Sequence, residues 1–212
     1  MLGTGGGRAS LRRTSDLVSG IVLAGGRSTR FGGADKLAAD VDGTPLLHHA
    51  VIGLARVTDD LVIVIGPEAA EPSMPSDVRV RFTRDAVADE GPLAGALAGL
   101  EAAGRELAVL VGGDMPELSV EVLRDLVRVA GAGAVDAVAL EDGGRFRPLP
   151  VVVRTLPAAV TARSLLERGE RSLRAWLEAL DVRTIGEATW TRLDPGRRTL
   201  RDVDAPSDLH AT

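Results

Sequence analysis

A chain of 212 residues with 45% apolar and 26% charged residues has the composition of an ordinary globular domain and is long enough to bury a substantial core. A net charge of −5 and an aromatic content of 2% leave neither the basic field that holds a nucleic-acid backbone nor a stacking platform for unpaired bases. The absence of cysteine excludes disulfides, thiolate zinc sites and thiol nucleophiles, and no apolar run approaches the roughly 18 residues of a membrane span.

Residues 1–19 combine Gly3, Gly5, Gly6 and Gly7 with three arginines and no apolar segment, the pattern of a flexible extension. Residues 20–212 then read as one domain, with the cytoplasm as its default location. Short β-rich runs alternate with helical patterns throughout, the mark of parallel β-α-β units in a three-layer α/β arrangement. Residues 21–24 read as the first strand, followed by a glycine-rich loop. Thr44-Pro45 has the form of an N-cap with proline at the first helical position, opening a helix to about Arg56. Residues 61–65 and 78–82 are the next strands, the latter alternating arginine with apolar side chains.

Gly91-Pro92 starts a helix of small residues over 93–103. Residues 107–111 form a continuous apolar strand of the kind buried on both faces, ending in Gly112-Gly113-Asp114-Met115-Pro116. A helix over 119–130, strands over 137–140 and 150–153, helices over 156–167 and 173–180, and strands over 182–185 and 199–203 follow, with a short helix opening at Ala205-Pro206. The mixed charges of Glu167, Arg168, Glu170, Arg171 and Arg174 suit a solvated helical face. Trp176 falls on an apolar stripe with Leu173, Leu177 and Leu180 that belongs in the core. His48 and His49, about 100° apart on a helix, cannot face one metal together.

The cations carry the sharpest signal. Of 25 basic residues 24 are arginine, and the single lysine, Lys36, ends the glycine-rich stretch that begins at Leu23. Lysine is a compact point charge on a slim stem, the form that slips between phosphate oxygens. Gly25 and Gly26 allow the backbone to approach a base or phosphate closely, and Arg30 with Lys36 offsets the charge of a polyphosphate. The spacing matches neither the dinucleotide fingerprint nor the Walker A loop, and the same glycines also suit a plain turn. Asp114, after two glycines at the end of a buried strand, suits a turn or cap as well as magnesium, which takes one or two carboxylates plus waters and phosphates. Asp202 or Asp204 is the candidate second carboxylate. In parallel sheets such loops converge at the carboxyl ends of the strands, where ligands gather.

Taken in order, Leu23-Ala24-Gly25-Gly26, Ser28, Arg30, Gly32, Asp35 and Lys36, Gly91-Pro92-Leu93-Ala94-Gly95, Gly113-Asp114-Met115-Pro116, Arg147-Pro148 and the run from Asp202 to Leu209 resemble the bacterial molybdenum cofactor guanylyltransferases. The resemblance to these MobA-like nucleotidyltransferases implies a Rossmann-like fold that binds GTP with magnesium. It implies transfer of GMP to the terminal phosphate of Mo-molybdopterin, release of pyrophosphate, and contacts with other molybdenum cofactor proteins. It also implies that Leu23, Ala24, Gly25 and Gly26 contact guanine and ribose, that Lys36 binds phosphate, and that Asp114 and Asp204 bind the metal. Asp85, ahead of the Gly-Pro-Leu-Ala-Gly segment, joins the nucleotide site, and Arg30, Lys36 and Asp114 carry the catalysis. Cytidylyltransferase relatives carry Leu-Ala-Ala-Gly, so Gly25 favours guanine.

Two other readings stand beside this one: a cytidylyl- or sugar-phosphate nucleotidyltransferase, and a catalytically silent nucleotide-binding subunit. Intact Arg30, Lys36 and Asp114 weigh against the silent subunit. The chain departs from the family's pattern at Asp202 and Asp204, where asparagines are usual, near Ile65-Gly66, where an asparagine is missing, and before Pro148, where Arg147 replaces histidine. Arg147 is a candidate for the acceptor's phosphate and, equally, for a solvated turn.

Overall fold

Strands buried on both faces must be apolar at every position, and the chain's continuous apolar runs become the middle of its sheet. The computed structural model describes residues 14–25, 36–85, 91–203 and 208. In chain order its elements are β1 (Val18–Leu23), β2 (Asp40–Val41), β3 (Thr44–Pro45), α1 (Leu46–Ala55), β4 (Leu61–Ile65), β5 (Arg81–Arg84), α2 (Pro92–Ala102) and β6 (Leu107–Gly112). There follow α3 (Val120–Ala132), β7 (Ala137–Asp142), β8 (Arg145–Arg154), α4 (Thr155–Glu167), α5 (Leu173–Glu178), β9 (Val182–Ile185) and α6 (Glu187–Trp190).

Seven strands form one sheet in the order β5-β4-β1-β6-β8-β7-β9. All neighbours pair in parallel except β8, which runs antiparallel to both β6 and β7. The mostly parallel sheet expected from the sequence is therefore present. Its two-residue side-chain period separates two cores. Val18, Val22, Leu61, Ile63, Ile65, Leu107, Val109 and Val111 pack with α1 and α3 on one face. Ile21, Val62, Val64, Ala108 and Leu110 pack with α2, α4 and α5 on the other. Trp176 is fully buried in the second core, as its stripe predicts, and its indole Nε1 donates to Ala158 O at 3.0 Å. No helix among the described residues is long and apolar enough to cross a membrane.

Several local expectations are corrected. Thr44-Pro45 does not open the helix as cap and first residue; it pairs with Asp40–Val41 as a small hairpin, and Pro45 itself takes the N-cap position of α1. The strand placed at 78–82 pairs at 81–84 instead, because its ladder to β4 runs from Val62↔Arg81 to Ile65↔Arg84. The strand placed at 199–203 is absent. There Thr199 N donates to the buried Asp194 Oδ2 at 2.7 Å and Thr199 Oγ1 accepts from Ser119 N at 3.0 Å, so side chains take the groups a ladder would need and turn Arg198–Leu200 into a 3-10 helix. The helix expected at Ala205-Pro206 lies outside the described residues.

The antiparallel strand also exceeds its expected span of 150–153. Gly143 and Gly144, at φ of 58° and 74°, make the tight turn between β7 and β8, a conformation that two successive glycines adopt without strain. Between Ala139↔Val151 and Glu141↔Phe146 one residue of β7 faces residues 147–150 of β8. Pro148 and Pro150 sit in this irregularity, where missing amide donors cost the ladder nothing.

At the amino edge of the sheet, hydrogen bonds lock four elements together. The fully buried Ser19 donates to Asp60 Oδ2 at 2.6 Å, Arg81 Nη2 donates to Asp60 Oδ1 at 2.5 Å, and Gly104 N reaches both Ser19 Oγ and Asp60 Oδ2 at 3.2 Å. Burial works to raise the Asp60 pKa, but the bonds from Ser19, Arg81 and Gly104 together hold it below the ordinary carboxylate value.

Candidate nucleotide site

Parallel strands deliver their following loops to one edge, and here β1, β4, β5 and β6 end side by side. Beyond the ladder, backbone bonds tie these ends: Ala24 N donates to Val64 O at 2.8 Å, Gly113 N to Leu23 O at 3.0 Å, and Asp85 N to Ile65 O at 2.9 Å. Leu23 and Ala24 are thus gripped from both sides before the loop departs. A Cβ placed on Gly113 would lie 3.3 Å from Leu37 Cδ2, which seats the 3-10 turn Lys36–Ala38 directly over the end of β6.

That seating brings the lysine to the aspartate. Lys36 Nζ donates to Asp114 Oδ2 at 2.9 Å, with 14% of the lysine and 31% of the aspartate side chain exposed. They are separated by 78 positions in sequence. Asp114 turns its other oxygen back over Gly112, where any Cβ would overlap Oδ1, so only glycine leaves room for this carboxylate orientation. The main chain of Asp114 is fixed as well, its carbonyl accepting from Val203 N at 3.0 Å. The late Asp202-Val203 segment therefore docks on the Asp114 turn, with Asp202 itself exposed.

Asp85 joins the same edge. A Cβ on Gly95 of α2 would lie 3.8 Å from Asp85 Oδ2 and 3.9 Å from Leu23 Cδ2, so the Gly-Pro-Leu-Ala-Gly helix start, Asp85 and the first strand meet. Gly25 is adjacent, with the backbone N of Gly66 3.8 Å from its would-be Cβ, an ordinary contact. Packing among the described residues thus does not demand glycine at position 25. Of the other expected residues, Gly26, Arg30 and Asp204 lie outside the described residues. Among the described residues no three His, Cys, Asp or Glu side chains gather as a metal cage.

His48 and His49 diverge as expected, donating to Ser73 O at 2.7 Å and Val41 O at 2.9 Å. The mixed-charge stretch is not a solvated helical face. It is the α4–α5 junction: Arg171 O accepts from Leu93 N at 3.3 Å, seating the start of α2, and Ser172 caps α5. Glu170 is held below the usual carboxylate range by the backbone N–H groups of Ser172 and Arg171. Sequence reasoning missed this seat, as well as the contacts of Leu23 O and Val203 N, because backbone partners leave no trace in residue type.

The profile of the MobA-like NTP transferase domain matches residues 20–184. The chain belongs to this family. Among relatives, it is 32% identical over 193 residues to the "Probable molybdenum cofactor guanylyltransferase" of Natronomonas pharaonis, covering 90% of this chain and 94% of that one. It is 38% identical over 156 residues to the molybdenum cofactor guanylyltransferase of Pseudomonas putida strain F1, covering 72% and 78%. Among solved structures, molybdopterin-guanine dinucleotide biosynthesis protein A from Archaeoglobus fulgidus superposes with a TM-score of 0.75 at 23% identity, over 90% of this chain and 94% of that one. A 2-C-methyl-D-erythritol 4-phosphate cytidylyltransferase from Thermus thermophilus superposes with 0.65 at 16% identity, over 89% and 94%. These two likenesses speak to fold, and the fold accommodates enzymes named for different bases. The family membership makes this chain a nucleotidyltransferase of the molybdenum cofactor branch.

Proposed function

We propose that the enzyme transfers GMP from GTP to the terminal phosphate of Mo-molybdopterin, forming the guanine dinucleotide cofactor and releasing pyrophosphate. The observation that carries the reading is the 2.9 Å contact between the chain's single lysine and the carboxylate at the end of β6. A cation for phosphate and an anion for metal stand at one point on the ligand-binding edge. The names of the curated relatives supply the acceptor and the base.

The chemistry asks little more of the protein. A phosphate monoester is already an ionised nucleophile, so no histidine or serine base is needed; the enzyme aligns it behind the α-phosphorus and stabilises charge passing to pyrophosphate. Lys36 and Arg30 take that charge. Asp114 fits magnesium as one of the one or two carboxylates it accepts beside waters and phosphates, with Asp204 the proposed second. Bound magnesium supplies further neutralisation of the triphosphate. Lys36 Nζ donates to Asp114 Oδ2, so on binding metal and nucleotide each partner of the ion pair would exchange the other for its share of the ligand.

Gly25 supports guanine. Among the described residues no neighbour crowds a side chain at position 25, which is consistent with a base lying over the Ala24-Gly25 backbone. We further propose a cytoplasmic location and contact with other molybdenum cofactor proteins. The test is magnesium-dependent pyrophosphate release with molybdopterin and each of GTP, CTP, ATP and UTP. Release with GTP alone is expected; turnover with CTP instead, or only with a sugar phosphate as acceptor, would replace the reading.

A further inference from the structure

Arg147 carries the only buried side-chain nitrogen or oxygen among the described residues that has no hydrogen-bond partner, its Nε. The guanidinium nonetheless reaches solvent, with 39% of the side chain exposed. Its Nη1 stands 3.9 Å from Asp142 Oδ2, beyond hydrogen-bond length, and Arg197 already engages the other oxygen of Asp142. A buried N–H stripped of water and given no acceptor is uncommon in folded proteins, and an incoming anion would satisfy it.

The topology says which anion. Arg147 lies in the irregular stretch 147–150 of β8, at the same edge as Asp114. In the order β1-β6-β8, the glycine loop and Lys36 follow β1, Asp114 follows β6, and Arg147 belongs to the strand on the far side. In-line displacement at phosphorus requires the entering and leaving oxygens on opposite sides of the transferred group. Cations on opposite flanks of Asp114 answer that requirement, one for the leaving pyrophosphate and one for the nucleophile.

We propose that Arg147 binds the phosphate monoester of the acceptor and sets its approach to the nucleotide, an inference that rests on the transfer reaction proposed above. An oxygen of that monoester forms the new bond to the α-phosphorus while the bond from the α-phosphorus to the bridging oxygen of pyrophosphate breaks. The electron pair leaves on pyrophosphate, and no proton is transferred when the monoester enters as the dianion. Arginine keeps its charge and its two-pronged donor face at every working pH.

The experiment compares the full-length wild type with Arg147→Ala, Arg147→Lys and Arg147→His, using purified molybdopterin as acceptor and reading pyrophosphate release together with GTP affinity by calorimetry. Arg147→Ala is expected to raise the acceptor KM by about 10- to 100-fold, the loss of one charge-assisted bond, with GTP affinity unchanged. Arg147→His should give an acceptor KM that climbs as pH rises through about 6.5, a response a purely structural residue would not produce. Arg147→Lys keeps the charge and carries the test if the alanine variant does not fold. An unchanged acceptor KM in the alanine and lysine variants, or a matching loss of GTP affinity that assigns Arg147 to the triphosphate, overturns the inference. Absence of guanylyl transfer by the wild type would instead refute the underlying reaction.

Discussion

At the amino edge of the sheet Asp60 accepts from Ser19, Arg81 and Gly104 and keeps 13% of its side chain exposed, whereas at the carboxyl edge Asp114 meets Lys36 and keeps 31% exposed. Both are carboxylates beside the ends of buried strands. One is bound by groups from three other parts of the fold, among them a backbone amide that cannot move away. The other is bound by an ammonium on a flexible stem, which a phosphate and a metal can draw off. Satisfaction by rigid donors makes a structural clamp; satisfaction by an exchangeable donor makes a site.

The sharpest way to break this contrast is to remove each carboxylate. Asp114→Ala should abolish magnesium-dependent transfer and Lys36→Ala should lower it by roughly 10²- to 10³-fold, both with far-ultraviolet dichroism and thermal midpoint close to wild type. Asp60→Ala should do the reverse, costing about 1–3 kcal/mol in urea unfolding by removing the acceptor of the buried Ser19 hydroxyl and one of the two acceptors of Gly104 N, with kcat intact. If Asp60→Ala lost activity at full stability, the division of labour between the edges would be wrong.

Two smaller effects sharpen it. Gly25→Ala should fold normally, since among the described residues its Cβ meets only ordinary contacts, yet cut kcat/KM for GTP relative to CTP by about tenfold. The acid limb of stability should report Asp60. Its folded pKa lies below the unfolded value of about 3.9, so its contribution is fully present above that pH and is lost as pH falls through the folded value. Asp60→Asn should therefore show a shallower fall in thermal midpoint below pH 4 than wild type, by about the same free energy that Asp60 contributes.

Much of this was legible in residue type. The unbroken apolar run Leu61–Ile65 marked its strand with the observed bounds, because burial on both faces leaves little room for polar residues. The lone lysine and the aspartate after two glycines singled themselves out chemically, and the topology rule sent both to one edge. What stayed hidden had other causes. The β2–β3 hairpin is too short to show a period, and Thr44-Pro45 satisfies a helix-start rule that tertiary pairing overrides. Residues 199–203 alternate like a strand, but a buried Asp194 carboxylate claims the Thr199 amide. The strand expected over 150–153 runs from Arg145 to Arg154, and its register shift against β7 falls in the stretch that holds Arg147, Pro148 and Pro150.

The central claim is that Lys36 and Asp114 serve one nucleotide. A crystal structure with magnesium and a non-hydrolysable GTP analogue tests it most directly. The account predicts Asp114 on the metal, Lys36 Nζ about 3 Å from a phosphate oxygen of the same nucleotide, and the direct ion pair broken. A nucleotide bound elsewhere, with the Lys36–Asp114 pair intact, would contradict it.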